Sequence, residues 1–118
     1  MSNLPARCTR LTGRGAYDAL FAAGRRRDGH FLQLLSLPAG RVPGRAGYAI
    51  PKKLLPLAVD RNRVRRQLRE AVRAARPAIL AFDVILRLKR ACPRAEGRRL
   101  AQEARTLLAA LCTEGRAA

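Results

Sequence analysis

The segment from residue 61 to residue 76 constrains the fold of this chain more than any other part of its sequence. It reads RNRVRRQLREAVRAAR, with seven arginines and a single acid, Glu70. At the roughly 100° per residue of a helix, its apolar residues fall on one face: Val64, Leu68, Ala71, Val72 and Ala75. Such a face must pack against a core, so we expect a helix over residues 58–76, with Asp60 near its start and Pro77 ending it.

The side of this helix next to its apolar face carries a row of guanidinium groups, which we call the arginine ridge. Its members fall within about 120° of arc: Arg61, Arg65, Arg69, Arg73 and Arg76, flanked by Asn62 and Arg66. Like charges four residues apart destabilise an isolated helix by a few tenths of a kcal/mol each, and bound phosphate would offset this cost. The ridge therefore predicts a nucleic-acid-binding surface. The alternative is a basic face that meets only water.

Asn62 has two possible roles in this helix. Asparagine is a weak helix former in mid-helix positions, so its presence between two arginines needs a reason. Its amide can offer a donor and an acceptor to a ribose hydroxyl or a base edge. The alternative is a capping role near the start of the helix.

The net charge of the whole chain points to the same class of partner. Lys and Arg number 25 against 8 Asp and Glu, so the formal net charge is +17 at pH 7. This excess repels itself in the compact state, and a polyanionic partner explains it most simply. Three of the cations are lysines. The arginine bias suits RNA, because guanidinium binds phosphate bidentately and stacks on bases, but a GC-rich genome would produce the same bias.

Several classes of protein are disfavoured by the sequence. No apolar run approaches the ~18–20 residues of a membrane span, and the N-terminal MSNLPARC has no segment typical of a signal peptide. Three widely spaced cysteines, Cys8, Cys92 and Cys112, fit thiols in a reducing cytoplasm better than disulfides or zinc. With His30 as the single histidine and no acidic metal motif, we expect no protein active site, which disfavours a self-sufficient nuclease.

Helical periodicity outside the arginine segment predicts two further helices. The first is capped by Thr12, carries Tyr17, Leu20 and Phe21 on one face, and ends at Gly24. The second covers residues 97–112. Its buried stripe comprises Leu100, Ala104, Leu107, Leu108 and Leu111.

Run length and alternation predict three strands, at residues 31–37, 46–50 and 82–88. Between them we expect a basic connector at 25–29 and a loop at 38–44. The order of elements predicts an α/β (α+β) two-layer sandwich, in which three helices pack on a small sheet. The chain is expected to form a single domain, with flexible tails at 1–11 and 113–118.

Aromatic and lysine side chains are candidate partners of the arginine ridge. Aromatic faces next to cations can stack on unpaired bases, although core packing is the commoner role. The candidates are Tyr17, Phe21 and Phe31. Lys52 and Lys53 lie between the second strand and the arginine helix, where they bind phosphate or form an ordinary solvated turn.

The sequence resembles the bacterial ribonuclease P protein component family. Lys52-Lys53, then seven residues, then RNRVRRQLRE from Arg61 to Glu70 is similar to the signature of that family. The N-terminal half agrees in order and spacing with the family's first helix and first strand: Arg10-Leu11, Tyr17-Asp18, Phe21, Gly24-Arg25 and Phe31-Leu32. The resemblance covers about residues 7–112.

This resemblance implies a compact fold shared with a ribosomal protein domain. It also implies a left-handed crossover through the arginine helix, against the right-handed rule for such connections. The implied function is that of a non-catalytic, cytoplasmic subunit of the endoribonuclease ribonuclease P. There the catalytic RNA removes the 5′ leader of precursor tRNA, with Mg²⁺ held mainly by the RNA and none by protein side chains. No membrane or DNA partner is expected, and the alternative function is a ribosome-associated structural protein that binds rRNA.

The resemblance also implies roles for particular residues. Those facing the catalytic RNA would be Arg61, Asn62, Arg63, Arg65, Arg66 and Arg69. Those lining a cleft for the single-stranded leader would be Tyr17, Phe21, Phe31, Lys52 and Lys53. Three positions depart from the pattern of the family: Pro51 precedes the lysine pair, Leu35 occupies a strand position that is often aromatic, and Arg65 replaces a usual lysine.

Overall fold

The computed structural model describes residues 8–40 and 43–117, with side chains as far as residue 114. The strands in this part of the chain are β1 Thr9–Arg10, β2 Arg25–Asp28, β3 Leu32–Pro38, β4 Arg45–Ala49 and β5 Phe82–Leu88. The helices are α1 Arg14–Ala23, α2 Ala58–Ala74 and α3 Gly97–Ala117. Short 3-10 turns, Ala78–Ala81 and Arg94–Glu96, precede β5 and α3. None of the described helices is both long and apolar enough to span a bilayer.

The strands form one mixed sheet in the order β1-β4-β5-β3-β2. β4 lies parallel to β1 and to β5, whereas β3 is antiparallel to β5 and β2. Adjacent parallel strands need a crossover connection, and α2 supplies it between β4 and β5. A small mixed sheet packed by three helices is therefore confirmed. The implied left hand of the crossover stays a prediction.

The helices cover the sheet from both sides because neighbouring side chains in a strand point to opposite faces. Leu34 and Leu86, which are cross-strand partners, belong to the main core under α2 and α3. The next pair, Leu35 and Ile85, belongs to a small core under α1. The predicted two-layer arrangement thus describes the α2–α3 side, and α1 adds a partial third layer.

The two long helices follow their apolar periodicity. α2 buries Val64, Leu68, Ala71 and Val72, and it ends at Ala74, two residues before the predicted end. All five residues of the predicted α3 stripe are buried. α3 continues to Ala117, beyond its predicted end at residue 112 and through most of the segment expected to be a flexible tail.

The structure differs from the sequence predictions at the N-terminal end of the fold. Thr9 and Arg10 pair with β4, and Leu11 is 2% exposed, so residues 9–11 belong to the fold rather than to a flexible tail. Residues 1–7 of that expected tail lie outside the described residues. The N-cap of α1 is Gly13 at φ 87° rather than Thr12, and no described side chain makes a capping hydrogen bond to this helix. A positive φ of this size favours glycine.

The basic connector expected at 25–29 was also wrong. Residues 25–28 form β2, which pairs along its whole length with β3 in antiparallel register. The sequence RRRD has little intrinsic strand preference, so pairing with β3 rather than local propensity defines this strand. The loop expected at 38–44 follows Pro38, the last residue of β3, and its residues 41 and 42 lie outside the described part.

Candidate nucleic-acid interface

The arginine ridge lies on the surface of α2, beside the face that packs on the sheet. Arg69, Arg73 and Arg76 are exposed, whereas Arg61 and Arg65 are half-buried. Arg76 lies beyond the end of the helix, and its Nε donates to the carbonyl of Arg73 at 2.9 Å. The ridge therefore faces outward, with its last member in the turn after α2.

Arg61 joins the start of α2 to the loop before it. Its Nη1 donates to the carbonyl oxygens of Leu55, at 2.9 Å, and Pro56, at 2.7 Å. These backbone acceptors hold the guanidinium against the loop while leaving its positive charge intact. Arg61 thus fixes the position of the helix start from which the rest of the ridge extends.

Asn62 orients a ridge arginine. Its side chain is exposed, and its Oδ1 accepts a hydrogen bond from Nη1 of Arg65 at 3.0 Å. The N-cap of α2 is Leu57, with no side-chain capping bond, so the capping alternative for Asn62 was wrong. The amide nitrogen of Asn62 is available as a donor on the outer surface.

Arg63 points away from the ridge, towards the 3-10 turn before α3. Asp60 pairs with Arg63 at 3.5 Å and with Arg94 at 2.9 Å. Nearby, Gln67 Nε2 donates to the carbonyl of Gly97 at 3.4 Å. The Arg63 Nε is buried with no hydrogen-bond partner among the described residues. Asp60 thus joins α2 to the turn at 94–96 through Arg94, and Arg63 lies half-buried beside Asp60 rather than in the exposed row.

Acidic side chains pair with cations on other parts of the described surface. Besides the two pairs of Asp60, the ion pairs are Arg25 and Arg27 with Glu114, Arg45 with Asp83, Lys89 with Asp28, and Arg99 with Glu96. Within the described ranges, no ion pair involves a member of the arginine ridge, Arg66, Lys52 or Lys53. The ridge consequently keeps its positive charge, which a polyanion can neutralise.

Tyr48 of β4 is a neighbour of the ridge that sequence analysis did not identify as a site residue. It packs half-buried against the main core. Burial raises the pKa of its hydroxyl to about 12, although the cation of Arg69 opposes this shift. Tyr48 therefore remains a neutral phenol close to Arg69 throughout the physiological pH range. Only the packing of α2 over β4 reveals this proximity.

A second candidate surface lies beside α1, on the opposite face of the sheet. Tyr17 lies across β4 at Gly47, where an added Cβ would be 2.5 Å from the Tyr17 hydroxyl oxygen. Phe21 packs half-buried against the small core. Both rings thus contribute to the core and remain partly accessible. Together with Ala49 and Arg87 of the adjacent sheet, they form what we call the α1 surface.

The strand register brings Arg87 to the α1 surface. Ala49, Arg87, Gln33 and Asp28 are successive cross-strand neighbours on β4, β5, β3 and β2. Arg87 is exposed, and its Cζ lies 5.9 Å from the centroid of the Phe21 ring. Alternation along β5 puts Arg87 on the face opposite Leu86 and Leu88, but only the order of strands and the position of α1 bring it to an aromatic ring.

The remaining predicted cleft residues are divided between two locations. Lys52 and Lys53 are exposed in the turn after β4, near Ala49 in the chain. Phe31, by contrast, is 4% exposed in the main core, with the guanidinium of Arg99 5.7 Å from its ring centroid. The expected placement of Phe31 beside Tyr17 was wrong, because the two rings pack on opposite faces of the sheet.

The sequence is similar to ribonuclease P protein components. The ribonuclease P family model matches residues 5–112. The ribonuclease P protein component of Chlorobaculum tepidum is 44% identical over 80 residues, which cover 60% of this chain and 52% of that protein. That of Ralstonia pickettii is 36% identical over 89 residues, covering 75% of this chain and 63% of that protein. The matched part thus spans about half the length of the first of these relatives.

Solved structures share the fold described above. The RNase P protein of Staphylococcus aureus matches with a TM-score of 0.78 at 19% identity, covering 89% of this chain and 96% of that one. The RNase P protein from Thermotoga maritima matches with a TM-score of 0.66 at 20% identity, covering 84% and 94%. At this level of identity the likeness concerns the fold. The alternative of a ribosome-associated rRNA-binding protein finds no support in these matches.

Proposed function

The chain belongs to the ribonuclease P protein family, and we propose that it is the protein subunit of a cytoplasmic ribonuclease P. In this role it binds the catalytic RNA and the 5′ leader of precursor tRNA, and it promotes maturation of the 5′ end of tRNA. The observation that carries the proposal is the outward-facing arginine ridge of α2, which has no acidic partner among the described residues.

The ridge binds the catalytic RNA through its phosphates. A bound RNA releases counterions in proportion to the phosphates that the protein neutralises, which provides a strong and salt-dependent affinity. The apolar face of α2 holds the helix on the main core, and Arg61 bonds its start to the loop before it. The exposed arginines are therefore presented on a preorganised helix, so less conformational entropy is lost on binding.

The α1 surface binds the single-stranded leader. Unpaired bases can stack on the accessible parts of Tyr17 and Phe21, and each such stack contributes about 1–3 kcal/mol in other single-strand-binding proteins. Lys52 and Lys53 would neutralise leader phosphates at the edge of the same surface. The protein thereby contacts the leader, which is present in precursor tRNA and absent from mature tRNA.

The described side chains do not fit a catalytic metal site. No three His, Cys, Asp or Glu side chains come together in residues 8–40 and 43–117. The carboxylates of Asp28, Asp60 and Asp83 accept from cations, and that of Glu103 accepts from the backbone N–H groups of residues 30–32. The proposal therefore assigns Mg²⁺ and the cleavage chemistry to the RNA, and binding and positioning to this chain.

Reconstitution tests the proposed function. The chain is added to a bacterial ribonuclease P RNA at a Mg²⁺ concentration too low for the RNA alone, and 5′ cleavage of precursor tRNA is measured. We expect cleavage to be restored by the mixture and absent with the protein alone. Failure to restore cleavage, or cleavage by the protein without RNA, would contradict the proposal.

Leader binding is tested separately with Phe21→Ala. This change removes a ring that is partly accessible on the α1 surface. We expect the reconstituted enzyme to bind precursor tRNA about tenfold more weakly, in line with the loss of one base stack, and to bind mature tRNA as before. Equal losses for both RNAs would mean that Phe21 serves only the small core.

A further inference from the structure

Arg87 is a charged residue of the α1 surface whose one recorded side-chain contact among the described residues is with an aromatic ring. Its Cζ lies 5.9 Å from the Phe21 centroid, within the range of a cation–π contact. We propose that the guanidinium plane of Arg87 is a stacking platform for one unpaired base of the leader, and that Arg87 thereby determines part of the affinity for precursor tRNA. This inference rests on the leader binding proposed above.

The charge of Arg87 is not neutralised by the residues around it. Its cross-strand neighbours are Ala49 and Gln33, neither of which is acidic. The nearest acid in this row of the sheet is Asp28, which is one strand further and is held by hydrogen bonds from Lys89 and Gln33, at 3.0 and 3.1 Å. These bonds lower the pKa of the Asp28 carboxyl, so it stays ionised and paired with Lys89.

The backbone that carries Arg87 is hydrogen-bonded on both sides. β5 is the middle strand of the sheet and is paired with β4 on one side and β3 on the other. On the α1 side, Nη2 of Arg26 donates to the carbonyl of Phe21 at 3.0 Å, which joins the end of α1 to the edge strand β2. Arg87 and Phe21 are thus held by separate elements that are joined to the sheet in the absence of RNA.

The surroundings of Arg87 leave room for a base. Its cross-strand neighbour Ala49 on β4 has the smallest side chain among the four neighbours in this row of the sheet, and Arg87 itself is exposed. A guanidinium plane offers a flat, weakly hydrated surface on which nucleobases stack, and its positive charge also favours the nearby phosphates. Every base has a π-face, so the platform is sequence-tolerant, with purines favoured through their larger stacking area.

The test measures the affinity of the reconstituted enzyme for precursor tRNA and for mature tRNA. Three variants are compared with the unchanged chain: Arg87→Ala, Arg87→Lys and the matched control Arg105→Ala. Arg105 is exposed on α3, which packs on the other face of the sheet, so its removal makes the same change in net charge. The leader is also studied with abasic nucleotides placed at one position at a time.

We expect Arg87→Ala to weaken precursor binding about tenfold, the loss expected for one stack, and to leave the affinity for mature tRNA unchanged. The control Arg105→Ala should bind both RNAs as the unchanged chain does. The Arg87→Lys variant should also bind precursor tRNA weakly, because lysine keeps the positive charge but lacks the planar guanidinium group. One abasic position should weaken binding to the unchanged chain by a similar factor and cause no further loss with Arg87→Ala.

Other outcomes would overturn the assignment. If Arg87→Lys binds precursor tRNA as tightly as the unchanged chain, Arg87 makes a simple phosphate contact. Equal losses of affinity for precursor and mature tRNA in Arg87→Ala would place Arg87 outside the leader site. If Phe21→Ala loses the preference for precursor while Arg87→Ala keeps it, only the role of Arg87 fails. If the unchanged chain has no preference for precursor, the proposed leader binding fails with it.

Discussion

Arg69→Ala is the most direct test of the arginine ridge. Arg69 is exposed near the middle of α2, and no acidic group of the described residues lies within ion-pair distance of it. If its guanidinium binds one phosphate of the catalytic RNA, its removal abolishes the release of about one counterion. The slope of log affinity against log salt should then become shallower by about 0.7–0.9.

This change in slope predicts a measurable effect at two salt concentrations. Over a tenfold rise in salt, the deficit in affinity of Arg69→Ala relative to the unchanged chain should shrink by about five- to eightfold. The assay is equilibrium binding to the catalytic RNA at several salt concentrations. The assay reports the number of phosphates contacted, so it separates a contact from a change in folding.

Arg94→Ala is the matched control for this experiment. It removes the same charge, but the guanidinium of Arg94 pairs with Asp60 at 2.9 Å and lies outside the ridge. We expect the salt slope of Arg94→Ala to match that of the unchanged chain. An unaltered slope for Arg69→Ala, or an equal decrease for both variants, would refute the assignment of the ridge as the RNA-binding surface.

Three further predictions concern buried contacts at Glu103, Gly47 and Cys92. Glu103→Ala removes the acceptor of three backbone N–H groups at residues 30–32, with N–O distances down to 2.7 Å, and should lower the free energy of unfolding in urea by about 3 kcal/mol. Glu96→Ala, which removes an exposed ion pair, should change it by less than about 1 kcal/mol; equal effects would contradict this assignment. Gly47→Ala places a Cβ 2.5 Å from the Tyr17 hydroxyl oxygen, so the ring must move, and precursor binding should weaken several-fold while mature tRNA binding is unchanged. Burial raises the pKa of the Cys92 thiol and so lowers its thiolate fraction at any given pH. Alkylation at pH 8, followed by mass spectrometry, should therefore be much slower at Cys92 in the folded protein than in the unfolded chain. Similar rates in the two states would contradict this.

The elements that the sequence predicted well are those with strong local periodicity. β5 occupies Phe82–Leu88, the predicted bounds, because its apolar alternation needs no knowledge of its partners. α2 and α3 were predicted from stripes that the structure buries. β2 was missed because RRRD has no such pattern, and its extended conformation depends on hydrogen bonding to β3.

The candidate site shows the same division. Helical geometry alone defined the ridge, since the angular positions of residues along one helix follow from their spacing. Arg63 was grouped with the RNA-binding residues because the family resemblance implied it, but its side chain is half-buried, and the pairing of its neighbour Asp60 with Arg94 depends on where the turn before α3 packs. Phe31 was grouped with Tyr17 for a similar reason, because it lies just before β3 and only the packing of the helices decides which core it joins.

The amino-acid sequence by itself determined that this chain has a large positive charge, one amphipathic arginine helix and an apolar pattern sufficient for a small sheet. Only the tertiary structure decided that Tyr17 and Phe21 share a surface with Arg87 and not with Phe31. The physical reason is that a residue's face within its own strand is a local property. Which helix covers that face depends on strand order and connections that join residues distant in the chain.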